Sequence, residues 1–515
     1  MPRPHEWSAP DMTIGAGHEK TPQVSRGDAV HLSMQYLELR VMEEPTGSDS
    51  AETIGPRRLV TELDSLGTAH PDQRRTVPAD PVTADPSTAR PSIARPMTPP
   101  RGWNSWDSFG PAVTEAEVLA NAHFMAEHML AFGWDTVVVD IQWYEPAARA
   151  GGYNDDADVV LDSYGRPLPT LNRFPSAADG LGFKPLADIV HSLGLKFGLH
   201  IMRGVPRRAT AAALPLLGTT STIADIADPG DPCQWNTDNW GIDWTHPDAT
   251  AYYASLAQLF ASWDVDFVKA DDMLRPYHDR DIEVFSAALA GTGRDIVLSL
   301  SPGIDEAVRA VSIPPETHVA DHATMWRISG DLWDRWEDLY QQFALMARWA
   351  PVSVPGAWAD ADMLPLGHIG IRAERGDDRM SLLTQAEQRT MMTLWSIARS
   401  PLMVGGDLPT SGAETIALLT NAAVLDVNAH AAGSREMLRD EEHIVWTAAV
   451  DGDSVVAVFA VGDDPIDLTV DLSSIGLTTT GGGTDLWSGS VVDVDDHRLR
   501  VRLSAHDAAL VRFTG

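Results

Sequence analysis

Cysteine, basic residues and long apolar runs are all scarce in this sequence. One cysteine, Cys233, stands among 515 residues, so no intrachain disulfide can form and no multi-cysteine metal site can be assembled. Lysine and arginine total 38 against 73 aspartates and glutamates, a formal net charge of −35. A field of that sign repels nucleic acid and anionic lipid, which removes both as expected partners. No stretch approaches the roughly 18 uninterrupted apolar residues of a membrane span. The opening "MPRPHEWSAPDMT" has no apolar h-region of a signal peptide, so the expected location is the cytoplasm. Tyrosine is also sparse, 8 residues against 17 tryptophans. Flat apolar rings among many carboxylates suit carbohydrate, whose C–H faces stack on aromatics while its hydroxyls take hydrogen bonds. A tryptophan-rich core has the same composition.

Three regions follow one another. Residues 1–96 are rich in Pro, Asp, Thr and Arg ("VPADPVTADPSTARPSIARP") and read as a mostly disordered leader. From 97 to 432, apolar strand-like runs alternate with amphipathic helices. "TVVVDI" (136–141) is a β-branched run suited to a strand buried on both faces, and "LKFGLHI", "VDFVKAD" and "DIVLSLS" repeat the theme. Thr114 and Glu117 form a capping-box pattern ahead of the helical "EVLANAHFMAEHMLAFG". Repeated βα units over this length predict a (β/α)8 barrel. A doubly wound open sheet is the alternative, but neither a G-x-G-x-x-G nor a P-loop supports it. From 433 to 515, short alternating strands such as "HIVWTAAV" and "RLRVRL", punctuated by Asp/Gly turns, predict an antiparallel β-sandwich packed on the barrel.

A barrel of this kind carries its chemistry at the C-terminal ends of its strands. Asp140 closes "TVVVD", His200 lies near the end of "KFGLHI", Lys269 and Asp271 close "DFVKAD", Ser301 closes "IVLSLS", and Asp331 follows "MWRISG". Lys269 and Asp271 are two apart and project to one face of their strand. A cation beside a buried carboxylate keeps it ionised, as a nucleophile requires. Asp331 has a second reading as a helix N-cap, because helical spacing runs on through Leu332, Trp336, Leu339 and Phe343. Paired with Asp271 it supplies the two carboxylates of glycoside hydrolysis, one to attack the anomeric carbon and one to protonate the leaving oxygen. Asp271, Asp272 and Asp140 alternatively form an Mg²⁺ ligand set, and a non-catalytic sugar-binding protein is a further reading.

The blocks "PPRGWNSWDSFG", "FGWDTVVVDIQW", "GLKFGLHI", "ASWDVDFVKADD", "MWRISGDLWDRW", "GAWADADMLPLG" and "RTMMTLWSIARSPLMVGGDL" come in the order in which the α-galactosidase family, glycoside hydrolase family 27, carries its signatures. The sequence resembles that family over about residues 97–515. The resemblance implies a (β/α)8 barrel with a C-terminal sandwich, hydrolysis with retention of anomeric configuration, a carbohydrate substrate, no metal and no organic cofactor; a homo-oligomer is compatible with it. It further implies Asp271 as nucleophile and Asp331 as acid/base. Lys269 and Arg327 would bind sugar hydroxyls, and Asp362 and Met363 would stand at the pocket rim. Of the two opening tryptophans, Trp106 is expected as a wall for the sugar and Trp103 as core.

The departures bear on the substrate. Family α-galactosidases usually carry two adjacent aspartates after the second strand; here Asp140 is followed by Ile141, which accepts no hydrogen bond. Either Gln142 compensates, or the sugar lacks a polar group there, as a β-L-arabinopyranoside does, or a larger unit such as isomaltose of an α-1,6-glucan is cleaved. His200 stands where tyrosine is common, and Ser301 where other residues read the 2-hydroxyl. Arg203, Arg207 and Arg208 are expected on a solvated loop, with Arg203 a possible substrate contact.

Overall fold

A computed structural model describes residues 92–302, 316–477 and 481–514, all within one compact unit, Thr83–Gly515. The leader up to residue 91 lies outside the described residues. Its last stretch packs on the barrel: Ile93 is buried, and the Arg95 guanidinium donates to the carbonyls of Ala320, Ala323 and Gly356.

Eight parallel strands alternate with eight helices. They are β1 (Arg101–Asn104), α1 (Glu115–His128), β2 (Thr136–Val139), α2 (Lys184–Ser192), β3 (Lys196–Met202), α3 (Thr250–Ser262), β4 (Phe267–Asp271), α4 (Asp279–Ala290), β5 (Val297–Leu300), α5 (Glu316–His322), β6 (Met325–Arg327), α6 (Trp336–Trp349), β7 (Trp358–Asp360), α7 (Gln385–Ala398), β8 (Leu402–Val404) and α8 (Ala422–His430). The strands pair in the order β7-β6-β5-β4-β3-β2-β1-β8. A parallel bridge between Leu364, just past β7, and Val404 of β8 joins the two ends of the sheet, so the sheet closes into a barrel. Every residue of β2 is buried, as the β-branched run required. The Thr114–Glu117 capping box forms at the head of α1.

After α8 the chain turns to antiparallel strands. A six-stranded sheet contains β9 (Ala432–Arg439), β10 (His443–Val450) and β11 (Asp453–Ala460), and a three-stranded sheet faces it. Val445, Val456, Val458, Leu499, Val501 and Val511 fill the space between them. The other face of the larger sheet meets the barrel: Phe459 of β11 packs edge-on to Phe343 of α6 with ring centroids 4.9 Å apart. Nearby, His506 stacks on Trp336 at 3.8 Å, and Trp487 donates its Nε1–H to Thr393. Among the described residues, no helix is long and apolar enough to cross a membrane.

Candidate active site

The C-terminal ends of the strands open on a cavity. Eight residues expected from the sequence line it, namely Trp106, Asp140, Lys269, Asp271, Arg327, Asp331, Asp362 and Met363; four unforeseen ones, Asp107, Tyr153, Leu332 and Trp333, complete the wall.

One side is built by β1, β2, β3 and β4. Lys269 and Asp271 share the inward face of β4, two residues apart. Lys269 Nζ donates to Asp140 Oδ2 at 2.8 Å, and Asn104 Nδ2 donates to the same oxygen at 2.6 Å. Burial pushes the Asp140 carboxyl up, but the Lys269 charge, the nearby His200 and the two hydrogen bonds reverse this and hold it at about 2. Asp271 is buried. Its Oδ1 accepts from the Asp272 backbone N–H at 2.8 Å, and its Oδ2 lies 3.1 Å from His200 Nε2. Nδ1 of His200 has no partner among the described residues, which fits the tautomer that carries its proton on Nε2 and donates to Asp271. Burial alone would raise the Asp271 carboxyl; His200, Lys269 and the Asp272 N–H more than offset it, and the group lies below the usual carboxylate value. A buried carboxylate kept ionised in this way is equipped to attack an electrophilic carbon.

Arg327, at the end of β6, organises the other side. Its Nη1 pairs with Asp362 Oδ1 at 2.6 Å, while Nη2 donates to Asp331 Oδ1 at 3.2 Å and to the Gly330 carbonyl at 2.7 Å. The second oxygen of Asp362 accepts from the Leu332 N–H at 2.7 Å. Burial, with the Asp331 and Asp360 charges, outweighs Arg327 and raises Asp362 to about 7. The Asp331 side chain is 36% exposed, against 5% for Asp362, so Asp331 is the carboxyl of this side that opens to solvent. It caps no helix: α6 begins at Trp336 with Arg335 as its N-cap, which removes the capping alternative.

Trp106 lies on Tyr153, centroids 4.8 Å apart and planes 23° apart, giving the cavity an aromatic wall. Trp103 is fully buried and donates its Nε1–H to the Gly406 carbonyl, as a core residue does. Asp107 is buried, with Oδ2 unpartnered among the described residues. Burial and the Asp362 charge hold it well above the usual value. Gly405 makes room for it: a Cβ there would stand 2.0 Å from Asp107 Oδ2.

Four expected residues lie off the cavity wall. Gln142 does not compensate for Ile141, because its Nε2 donates to the Asn154 carbonyl and to Asp238, both at 2.9 Å, and its Oε1 accepts from the Asn154 N–H. Ile141 is buried and donates its N–H to Asp140 Oδ1. His200 faces Asp271 and not the cavity. Ser301 lines a deeper void shared with Lys269, Arg327 and Met363. Of the arginine trio, Arg208 is exposed as expected, but Arg203 departs from expectation. Arg203 is buried and pairs with Asp272 at 3.0 Å and Asp231 at 2.7 Å, and Arg207 covers the Trp240 ring at 3.8 Å. Arg208 is bound to Asp158 and the Val159 carbonyl. The suggested Mg²⁺ ligands are each held by a different cation or imidazole: Asp140 by Lys269, Asp271 by His200, and Asp272 by Arg203.

A (β/α)8 barrel whose mouth gathers an ionised buried carboxylate, a second solvent-facing carboxyl, two cations and an aromatic wall has the arrangement of a glycoside hydrolase. The family model for α-galactosidase A matches residues 241–430, and that for the α-galactosidase C-terminal β-sandwich domain matches 440–513. α-Galactosidase 3 of Arabidopsis thaliana is 27% identical over 431 residues, covering 81% of this chain and 82% of that protein. Among solved structures, a family 27 β-L-arabinopyranosidase of Geobacillus stearothermophilus is 46% identical with a TM-score of 0.79, over 81% of this chain and 97% of that one. A variant of that enzyme has been solved in complex with arabinose. A Bacillus halodurans protein described as a candidate α-N-acetylgalactosaminidase is 42% identical with a TM-score of 0.73, covering 82% and 99%. The chain belongs to glycoside hydrolase family 27 and is a glycosidase of the galactosidase/arabinopyranosidase type.

Proposed function

We propose that this chain is an exo-acting retaining glycosidase that prefers terminal β-L-arabinopyranosides to α-D-galactosides. The observation that carries the reading is Ile141. The two sugars share their ring substituents up to C5, and galactose adds a hydroxymethyl group whose hydroxyl must be hydrogen-bonded once it leaves water. Beside Asp140 this chain offers an aliphatic side chain, and Gln142 is fully engaged elsewhere. The similarity to a β-L-arabinopyranosidase supports the same choice.

In the mechanism, Asp271 attacks the anomeric carbon as Asp331 transfers its proton to the leaving oxygen, and a covalent glycosyl-enzyme forms. Asp331 then removes a proton from water, which attacks the anomeric carbon and releases Asp271. Lys269, Asp140, Arg327 and Asp362 hold the ring hydroxyls, and Trp106 takes the apolar face. His200 orients Asp271 and keeps it ionised. The net charge of −35 fits a sugar-processing enzyme in the cytoplasm, with neither nucleic acid nor membrane as partner.

The test is p-nitrophenyl β-L-arabinopyranoside hydrolysis followed by proton NMR, with Asp271→Asn as the blank. The β-anomer of arabinose is expected first, before mutarotation. Initial appearance of the α-anomer would overturn the double displacement, and turnover equal in the blank would overturn the assignment of Asp271.

A further inference from the structure

Outside the catalytic cavity, the helices following β4 and β5 bring together three side chains suited to a metal ion. His318 and His322 are four residues apart on α5 and so lie on one helix face, with ring centroids 4.6 Å apart. Glu283 of α4 approaches them, its Oε1 3.4 Å from His318 Nε2. One ligand atom from each of the three falls within 4.8 Å of the others. Two ligands of a tetrahedral zinc ion, bound at about 2.0–2.1 Å, stand about 3.4 Å apart, the spacing this Glu–His pair already has.

The surroundings favour this use. Tyr277 Oη lies 2.5 Å from His318 Nδ1, a partner that fixes the ring and leaves Nε2 for an ion, as second-layer hydrogen bonds do in metal sites. Arg280 binds Glu283 through Oε2, which leaves Oε1 available. All three side chains are partly exposed, so an ion can enter from solvent. Arg95 is near, but its guanidinium is spent on the carbonyls of Ala320, Asp321 and Ala323.

We propose that Glu283, His318 and His322 bind one divalent transition-metal ion of the zinc class, leaving its fourth position to water and tying α4 to α5. Two imidazoles and a carboxylate suit zinc and its neighbours better than calcium or magnesium, which take oxygen ligands. None of the three lines the catalytic cavity, so the ion would add stability without entering hydrolysis.

The test uses the full chain without a polyhistidine tag, stripped with chelator and titrated with zinc chloride by calorimetry, with the thermal midpoint read in parallel. One equivalent is expected to bind and to raise the midpoint. His318→Gln with His322→Gln should abolish that equivalent, Tyr277→Phe should weaken it about tenfold, and Asp271→Asn should bind as the parent does. Uptake by the parent no greater than by the double variant would overturn the proposal and mean adventitious binding only. If the double variant does not fold, Glu283→Gln supplies the comparison, and undiminished affinity in it would overturn the proposal equally.

Discussion

Replacing Lys269 with methionine keeps an apolar stem of similar length and removes one charge from the floor of the sugar cavity. That charge holds Asp140, whose side chain is 1% exposed, through a 2.8 Å bond. With Lys269 present the Asp140 carboxyl sits at about 2, against an ordinary 3.8, which corresponds to about 2 kcal/mol in favour of the folded, ionised form. Because the folded value is depressed, this stability is present above the unfolded pKa and is lost as pH falls toward 2. Without Lys269 the burial penalty is no longer offset, and the folded value rises above the unfolded one. The sign of the contribution then reverses, and the variant gains stability as acid protonates Asp140. Breaking a buried pair from one side costs roughly 3–5 kcal/mol at neutral pH, and the gap between the two proteins should narrow by about 2 kcal/mol or more between pH 7 and pH 3. Thermal unfolding followed by circular dichroism across that range reads it, because titration of carboxylates away from Lys269 cancels in the difference, and Asp271, which Lys269 also holds down, changes in the same direction. A gap that stays constant with pH would refute the reasoning, and would mean that the cost of the substitution is packing alone.

Other substitutions probe the reaction. Ile141→Asp should raise kcat/KM for the α-galactoside relative to the arabinopyranoside by about 10- to 100-fold, the worth of one hydrogen bond to a buried hydroxyl; initial rates on the two p-nitrophenyl glycosides measure it. His200→Phe removes a donor that stabilises ionised Asp271, so the acidic limb of the kcat/KM–pH profile should move to higher pH. Arg203→Met would leave the Asp272 carboxyl, already raised to about 7 beside this arginine, without its counter-charge. The variant should be less stable at pH 8 than at pH 6, as thermal midpoints would show. Chelation should leave hydrolysis rates unchanged, in contrast to a reaction that runs through Mg²⁺.

The barrel was legible because its strands are runs of β-branched and apolar residues, as in "TVVVD", that only a sheet buried on both faces accommodates. Lys269 and Asp271 were legible for a related reason, since a two-residue spacing at the end of such a strand puts both into the mouth. What was misread depends on partners far along the chain. Gln142 meets Asn154 and Asp238, 12 and 96 residues away, and no local pattern announces them. Arg203 meets Asp272 across 69 residues, which turns an apparently solvated arginine into a buried clamp. The helical spacing after Asp331 suggested a cap, but the chain stays irregular until Trp336 and so carries the carboxyl to the cavity. Tyr153, in the glycine-flanked "GGYND", had no periodicity to mark it, although it backs the predicted Trp106. Asp107 stood within the opening motif, and its place on the wall depends on the close approach of Gly405, nearly 300 residues later.

The measurement that tests the central claim most directly is the ratio of kcat/KM for p-nitrophenyl β-L-arabinopyranoside to that for p-nitrophenyl α-D-galactopyranoside, with Asp271→Asn subtracted as the blank. A ratio well above one is expected, because the residue after Asp140 is an isoleucine and Gln142 is engaged with Asn154 and Asp238. A ratio below one would contradict it and show that another residue of the cavity supplies that contact.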